Sequence, residues 1–366
     1  MSAKIKNIIL VVLCAVFLFS FPIWGLIKPD EEISKSERRP LQKFPVVSVD
    51  NIVSGKFMTD FESYTLDHFP LRDNFRTLKS YTAFYAFRQQ DNNDIYIAEG
   101  YASKLEYPLN KDSASHATDR FKYVYDTYLE GNTGNIYLSI VPDKNFFLAE
   151  KNGYLSIDYN ALISQVTEDM PYAQYIDITN KLDIADYYTT DSHWKQEEII
   201  PVAQHLAENM GVTLKSEYTQ EKVDTPFYGV YAGQSALPLK PDTITILKND
   251  YTENYKVYDF ETDSYIPVYD KEKLNGNDPY EIYLAGPKSL LVIENPQAET
   301  DKELIIFRDS YTSSLAPLLC EGYAKVTLVD IRYLSPEMLS HFITFDKQDV
   351  LFMYSTSVLN NSVTIK

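Results

Sequence analysis

From Ile8 to Ile27 the chain carries no charged side chain, and that run limits what everything after it can become. About 20 apolar residues in a helix match the hydrocarbon thickness of a bilayer. Lys4 and Lys6 precede the run and Lys28 closes it. The positive-inside rule then predicts a cytoplasmic N-terminus and an exported remainder. A cleaved leader needs small residues at set spacing beyond its apolar core, and FPIWGLIKPD offers no such pattern. Cys14 lies too deep in the run to serve as a lipoprotein cysteine. The expected organisation is a transmembrane anchor over 1–27, a polar linker over 28–48 with Pro29 and Pro40, and an exported domain over 49–366. This places the chain in the cell membrane as a single-pass protein with an extracellular domain.

Composition narrows the chemistry of the exported part. Lys and Arg total 34 against 52 Asp and Glu, a formal charge of -18. Such a surface repels phosphate backbones, which argues against a nucleic-acid partner. Only Cys14 and Cys320 are present, so no disulfide framework is expected. No Cys/His cluster has zinc spacing, and no metal or cofactor is expected. The 30 tyrosines and 19 phenylalanines suit sugar stacking and an ordinary β-rich core alike.

Hydrophobic spacing organises the exported part. Phe57, Phe61, Tyr64 and Leu66 give 49–85 a helical stripe, read as a helical hairpin against the main domain. Beyond it, apolar strand patterns at 95–98, 135–144, 174–178, 302–310, 325–334 and 349–355 are interleaved with helical ones. The helices are expected at 114–129, 160–168, in the stretch ending at Gly211, in SYTSSLAPLL and in SPEMLSHF. That rhythm predicts an α/β fold with a mainly parallel sheet. Residues from about 220 to 300 break it. Short alternating runs such as DTITILK, YKVYDF and YIPVYD read as a β-rich insertion or cap.

Two places carry chemistry. Asp191-Ser192-His193-Trp194 lies where a loop enters a helix, and an Asp two residues before a His reaches the imidazole across one tight turn. That contact fixes the tautomer and stabilises the ring when it takes a proton. Phe307-Arg308-Asp309-Ser310-Tyr311 ends an apolar strand and opens a helix, exposing a serine hydroxyl at the carboxyl edge of the sheet, where open α/β sheets bind ligands. Taken singly, each is also an ordinary helix cap. Together they gain weight, because a serine needs a base and only five histidines exist. His193 alone among them combines a carboxylate partner with a loop-to-helix position. The expected set is Ser310 as nucleophile, His193 as general base and acid, and Asp191 as orienting group. Lys144 and Asn145, after a strand end, are candidate oxyanion donors. Arg332 is a candidate for an acyl carboxylate or sugar oxygen, with an ion pair to Asp330 or Asp309 as the plainer account. Tyr311 is a candidate cleft residue, and Trp194 either packs beneath the histidine or stacks a sugar.

YTTDSHW and IFRDSYTSSLAPLL, with ERRPLQKFP and DHFPLRDNFR nearer the N-terminus, resemble the DHHW family. These bacterial envelope proteins are similar to the alginate O-acetyltransferases with an SGNH-hydrolase-like domain. The resemblance implies an SGNH-hydrolase-like α/β/α sandwich, circularly permuted so that the Asp-x-His pair precedes the serine. It puts Asp191, His193 and Ser310 at the catalytic places. Ser192 stands where the family has its first histidine, and Arg308 replaces the usual glycine before Asp-Ser, which bears on the oxyanion hole. The implied function is an O-acetyltransferase acting on an envelope or secreted polysaccharide, with a multi-pass membrane O-acyltransferase as acetyl donor. A polysaccharide acetylesterase would use the same residues, and a non-catalytic carbohydrate-binding or scaffold protein is the reading from a different class.

Overall fold

The computed structural model describes residues 2–366. The chain packs as two compact units, one running to Asn93 and including Ala232–Pro238, the other formed by Asp94–Tyr231 and Leu239–Lys366.

The larger unit is built on an eight-stranded sheet. Its strands are β1 (Ile136–Val141), β2 (Gln174–Tyr175), β3 (Lys256–Asp259), β4 (Ser264–Ile266), β5 (Leu290–Glu294), β6 (Glu303–Arg308), β7 (Lys325–Val329) and β8 (Asp349–Ser355). In space they run β4-β3-β5-β7-β6-β8-β1-β2. Strands β7, β6, β8, β1 and β2 are mutually parallel, while β5, β3 and β4 join by antiparallel pairing. Parallel strands need both faces covered, and the residues supply two apolar faces. From β6 and β8, Leu304, Ile306, Leu351 and Met353 enter one core, with Val202, Leu206, Leu315 and Leu319. Their neighbours Ile305, Phe307, Val350 and Phe352 enter a second core, with Phe121, Val124, Leu162 and Val166. The result is a three-layer α/β/α sandwich.

Several expectations change in detail. The strand expected at 174–178 shrinks to Gln174–Tyr175, the two residues that pair with β1. The helix expected over SPEMLSHF closes as a 3₁₀ segment, Pro336–His341. Within the β-rich stretch, β3, β4 and β5 extend the central sheet. Thr219–Lys222 and Thr245–Lys248 form a separate antiparallel ribbon.

In the smaller unit, α1 (Ala3–Ile27) is long and apolar enough to cross a membrane and buries none of its residues. It is followed by α2 (Lys56–Asp67) and α3 (Arg72–Tyr81), which continues into a π-helical turn, Thr82–Ala86. The Arg39 guanidinium grips the Asp67 carboxylate at 2.9 and 2.5 Å and holds its pKa down at about 2 against the opposing effect of partial burial. Arg72 pairs with Glu37 at 2.6 Å. The two arginines of the DHFPLRDNFR segment therefore stitch this unit together: Arg72 through Glu37, and Arg76 through a 2.7 Å bond to the Gly233 carbonyl.

Candidate active site

At the carboxyl end of β6 the chain turns sharply. The buried Asp309 carboxylate fixes that turn: one oxygen accepts from the Tyr311 amide at 3.1 Å, the other from the Ser355 amide at 2.7 Å. It thus fixes the turn that leads into the following helix, α4 (Thr312–Leu319), and ties the end of β6 to the end of β8. Arg308 is fully buried and turned beneath the loop, donating to Ser313 Oγ at 2.8 Å and to the Lys288 carbonyl at 3.1 Å. Ser310 is left half-exposed on the outer side of the turn.

A second loop delivers the histidine. Residues 186–195 fold back on themselves, with Tyr187 bridging Trp194 and the Lys195 amide donating to the Asp186 carbonyl at 2.7 Å. Asp242 clamps this loop. One of its oxygens accepts from the amide and hydroxyl of Thr189 (2.8 and 2.7 Å), the other from those of Thr190 (2.8 and 2.6 Å). At the loop tip the fully buried Asp191 uses one oxygen for the Val230 amide at 2.8 Å and the other for His193 Nδ1 at 2.6 Å. A Cβ on Gly229 would fall 2.3–2.4 Å from Asp191 atoms, so only glycine lets that neighbouring loop come so close.

His193 Nε2 lies 2.7 Å from Ser310 Oγ. Because an ionised carboxylate only accepts, His193 carries its proton on Nδ1, and Nε2 offers its lone pair to the serine hydroxyl. The imidazole is sandwiched. Tyr280 stacks on it with centroids 3.9 Å apart and planes 9° from parallel, and Tyr311 approaches at 5.0 Å. The Tyr280 hydroxyl meets Ser314 Oγ at 2.8 Å, and the Tyr311 hydroxyl donates to the Ser192 carbonyl at 2.7 Å. Burial drives both phenols well above their ordinary pKa, so they stay neutral at physiological pH. Ser310, His193 and Asp191 thus form one hydrogen-bonded chain whose geometry suits proton removal from a serine.

The other expected site residues have mostly structural surroundings. Trp194 is fully buried, with Nε1 donating to the Tyr311 carbonyl at 3.1 Å and to Ser314 Oγ at 3.0 Å. It packs beneath the site, and a ring without exposed surface has no face to offer a sugar. Lys144 is buried and donates to the Tyr188 and Thr189 carbonyls at 2.9 and 3.2 Å, bracing the histidine loop; burial lowers its pKa to about 7. Asn145 spends its amide group on Ser156 Oγ and the Tyr159 hydroxyl at 3.1 and 3.2 Å. Arg332 makes the plainer contact, a two-pronged ion pair with Asp330 at 2.8 and 2.6 Å. Tyr280, Asp242, Gly229 and Val230 were not singled out from the sequence. They fall in the stretch read as an insertion, where no spacing rule marks them.

No family model matches the chain, and no curated protein matches it by sequence. Solved structures do share its fold. A DHHW family protein from Eubacterium siraeum matches with a TM-score of 0.61 at 21% identity, over 75% of this chain and 95% of that one. Bacillus cereus PatB1, solved with a sulfonyl adduct, matches with a TM-score of 0.58 at 13% identity, over 72% and 97%. A second PatB1 structure gives 0.55 at 14% identity, over 72% and 96%. The chain therefore has the α/β fold of a known DHHW family structure.

Proposed function

We propose that this protein is a membrane-anchored, extracytoplasmic serine O-acyltransferase acting on an envelope polysaccharide. The observation that carries the reading is the unbroken chain from Asp191 through His193 to Ser310, with links of 2.6 and 2.7 Å. Fold likeness and the sequence resemblance to the DHHW family support it.

In the proposed reaction His193 Nε2 takes the Ser310 proton as Oγ attacks the carbonyl carbon of a donor acyl group. The tetrahedral intermediate collapses, the leaving group departs with that proton, and an acyl-serine ester remains. A sugar hydroxyl then gives its proton to Nε2 and attacks the ester carbonyl. Collapse transfers the acyl group to the sugar and returns the proton to Ser310 Oγ. Asp191 stays ionised throughout and stabilises the imidazolium. Acetyl is the proposed group, delivered from the membrane side by a multi-pass O-acyltransferase, with α1 retained as the anchor that keeps the domain at the bilayer.

Hydrolysis of acetyl-nitrophenyl ester tests the nucleophile: the wild-type protein turns over and Ser310→Ala does not. Turnover by the Ser310→Ala protein would remove the proposal. An acetylesterase differs only in that water resolves the ester. Deleting the gene lowers envelope acetyl content for a transferase and raises it for an esterase.

A further inference from the structure

In a soluble domain a helix turns its apolar stripe inward. The helix α3 and its π-helical continuation turn an apolar row outward instead. Arg72, Arg76, Ser80 and Ala83 are sheltered, with Arg76 and Ser80 donating to the Gly233 and Ser235 carbonyls at 2.7 Å each. Among the outward positions, which also include Asp73, Asn74 and Lys79, one row at helical spacing is apolar: Leu71 is 49% exposed, Phe75 42%, Leu78 60% and Tyr85 70%.

This stripe is continuous with α1. Phe21 of α1 stacks on Phe69 at 5.5 Å with planes 11° apart, and meets Phe75 edge-on at 5.8 Å. Pro70 Cδ lies 3.6 Å from where a Cβ on Gly25 would stand, so the loop approaches the helix closely at this point. The contact fixes a depth. About 20 helical residues cross the hydrocarbon core; counted from Ile5, beside the cytoplasmic lysines, the crossing closes near Trp24, an aromatic residue of the kind that marks the interface. Phe21 lies one turn inside that level. Phe69 and Phe75 therefore sit at the boundary between headgroups and acyl chains of the outer leaflet.

We propose that the stripe Leu71, Phe75, Leu78 and Tyr85 lies in the outer-leaflet interface as a second, monotopic membrane contact beside the spanning helix. The occupant is lipid, because what borders a spanning helix at the level of Phe21 is the bilayer. Apolar stripes of this kind bury ~5–10 Å into the headgroup/acyl boundary. The inference rests on the reading that α1 is retained as an anchor.

The test uses the full chain with Cys14→Ser, reconstituted in phosphatidylcholine vesicles. Single cysteines are introduced by Val16→Cys, Leu71→Cys, Leu78→Cys or Val363→Cys, each at an exposed site, while the native Cys320 is buried and unreactive. Each carries an environment-sensitive fluorophore, read against lipids bearing a nitroxide near the headgroup for positions 71, 78 and 363 and deep in the acyl chain for position 16, which the same count places near the bilayer midplane. The expected result is quenching at positions 71 and 78 about threefold or more above that at 363. Quenching at 16 with none at 71 and 78 overturns the inference and leaves the anchor standing. No quenching at 16 overturns both. A site at 78 that is wet in pure lipid but shielded in native membranes assigns the stripe to an embedded protein partner and overturns the lipid assignment.

Discussion

Tyr280 lies flat against the His193 imidazole, the ring centroids 3.9 Å apart. Its hydroxyl contacts Ser314, which the Trp194 indole also contacts. In the proposed reaction this stack holds the ring at the angle that aims Nε2 at Ser310, which would make Tyr280 a positioning residue acting through the histidine. Tyr280→Phe keeps the stack and is expected to retain turnover of acetyl-nitrophenyl ester within a few-fold of wild type. Tyr280→Ala frees the ring, and kcat is expected to fall about 10–100-fold with KM little changed, as a misaimed base predicts. Equal losses in both variants would place the effect in the hydroxyl instead.

Asp191 has a separate task. An amide at position 191 can still accept from the Val230 amide, but it presents a donor to Nδ1 and so favours the tautomer with the proton on Nε2. Asp191→Asn is expected to cost about 10⁴ in kcat, the magnitude seen when a serine–histidine pair loses its orienting carboxylate, with the melting temperature close to wild type. Turnover within ten-fold of wild type, about 1.4 kcal/mol in barrier, would separate Asp191 from the chemistry.

Glu106 makes stability depend on pH in a direction unusual for a carboxylate. Burial, reinforced by the charge of Asp143, raises its pKa from 4.5 to about 7. Lys104, 3.5 Å away, pulls the other way, but its side chain is 42% exposed and solvent weakens its field. Below the unfolded value the carboxyl is protonated in both states, and the stability gained by holding that proton is complete. The gain is lost as pH rises through about 7, where the folded chain must carry a buried charge. Glu106→Gln is expected to melt near wild type at acidic pH and above it at about pH 8. A gap that shrinks as pH rises would contradict the assignment.

Trp194 ties the histidine loop to the nucleophile helix. Trp194→Phe removes both Nε1 bonds and leaves a void in a fully buried site, a cost of about 2–4 kcal/mol in stability. The expected readout is a lower melting temperature together with reduced ester turnover, since Tyr311 and Ser314 lose the bonds that hold them near His193.

The residues of the candidate site were easier to read from the sequence than its scaffolding. With five histidines in the chain, only His193 paired a nearby carboxylate with a loop-to-helix position, and Ser310 followed an unmistakable apolar strand. Both pieces depend on contacts local in sequence. The parallel core of β6, β7 and β8 was legible for the same reason, as apolar runs bounded by turns. The supports come from far along the chain. Asp242 clamps Thr189 and Thr190 across more than fifty residues, and Tyr280 reaches His193 from a segment that reads as unrelated turns. Nothing in a tyrosine's neighbours announces that it will stack on an imidazole. Lys144 and Asn145 stand out in the sequence for their place after β1; in the structure their polar groups bond the loop and the neighbouring core, as a buried ammonium or amide needs carbonyls and hydroxyls to satisfy it.

The central claim is that Ser310 is a nucleophile activated by His193. Its most direct test is intact-mass and peptide mapping of the full chain after treatment with a sulfonyl fluoride, whose sulfur is attacked by an activated hydroxyl with loss of fluoride. A single sulfonyl group on Ser310 in the wild-type protein, absent after His193→Ala, is the predicted result. An unmodified Ser310, or equal modification with and without the histidine, would contradict the account.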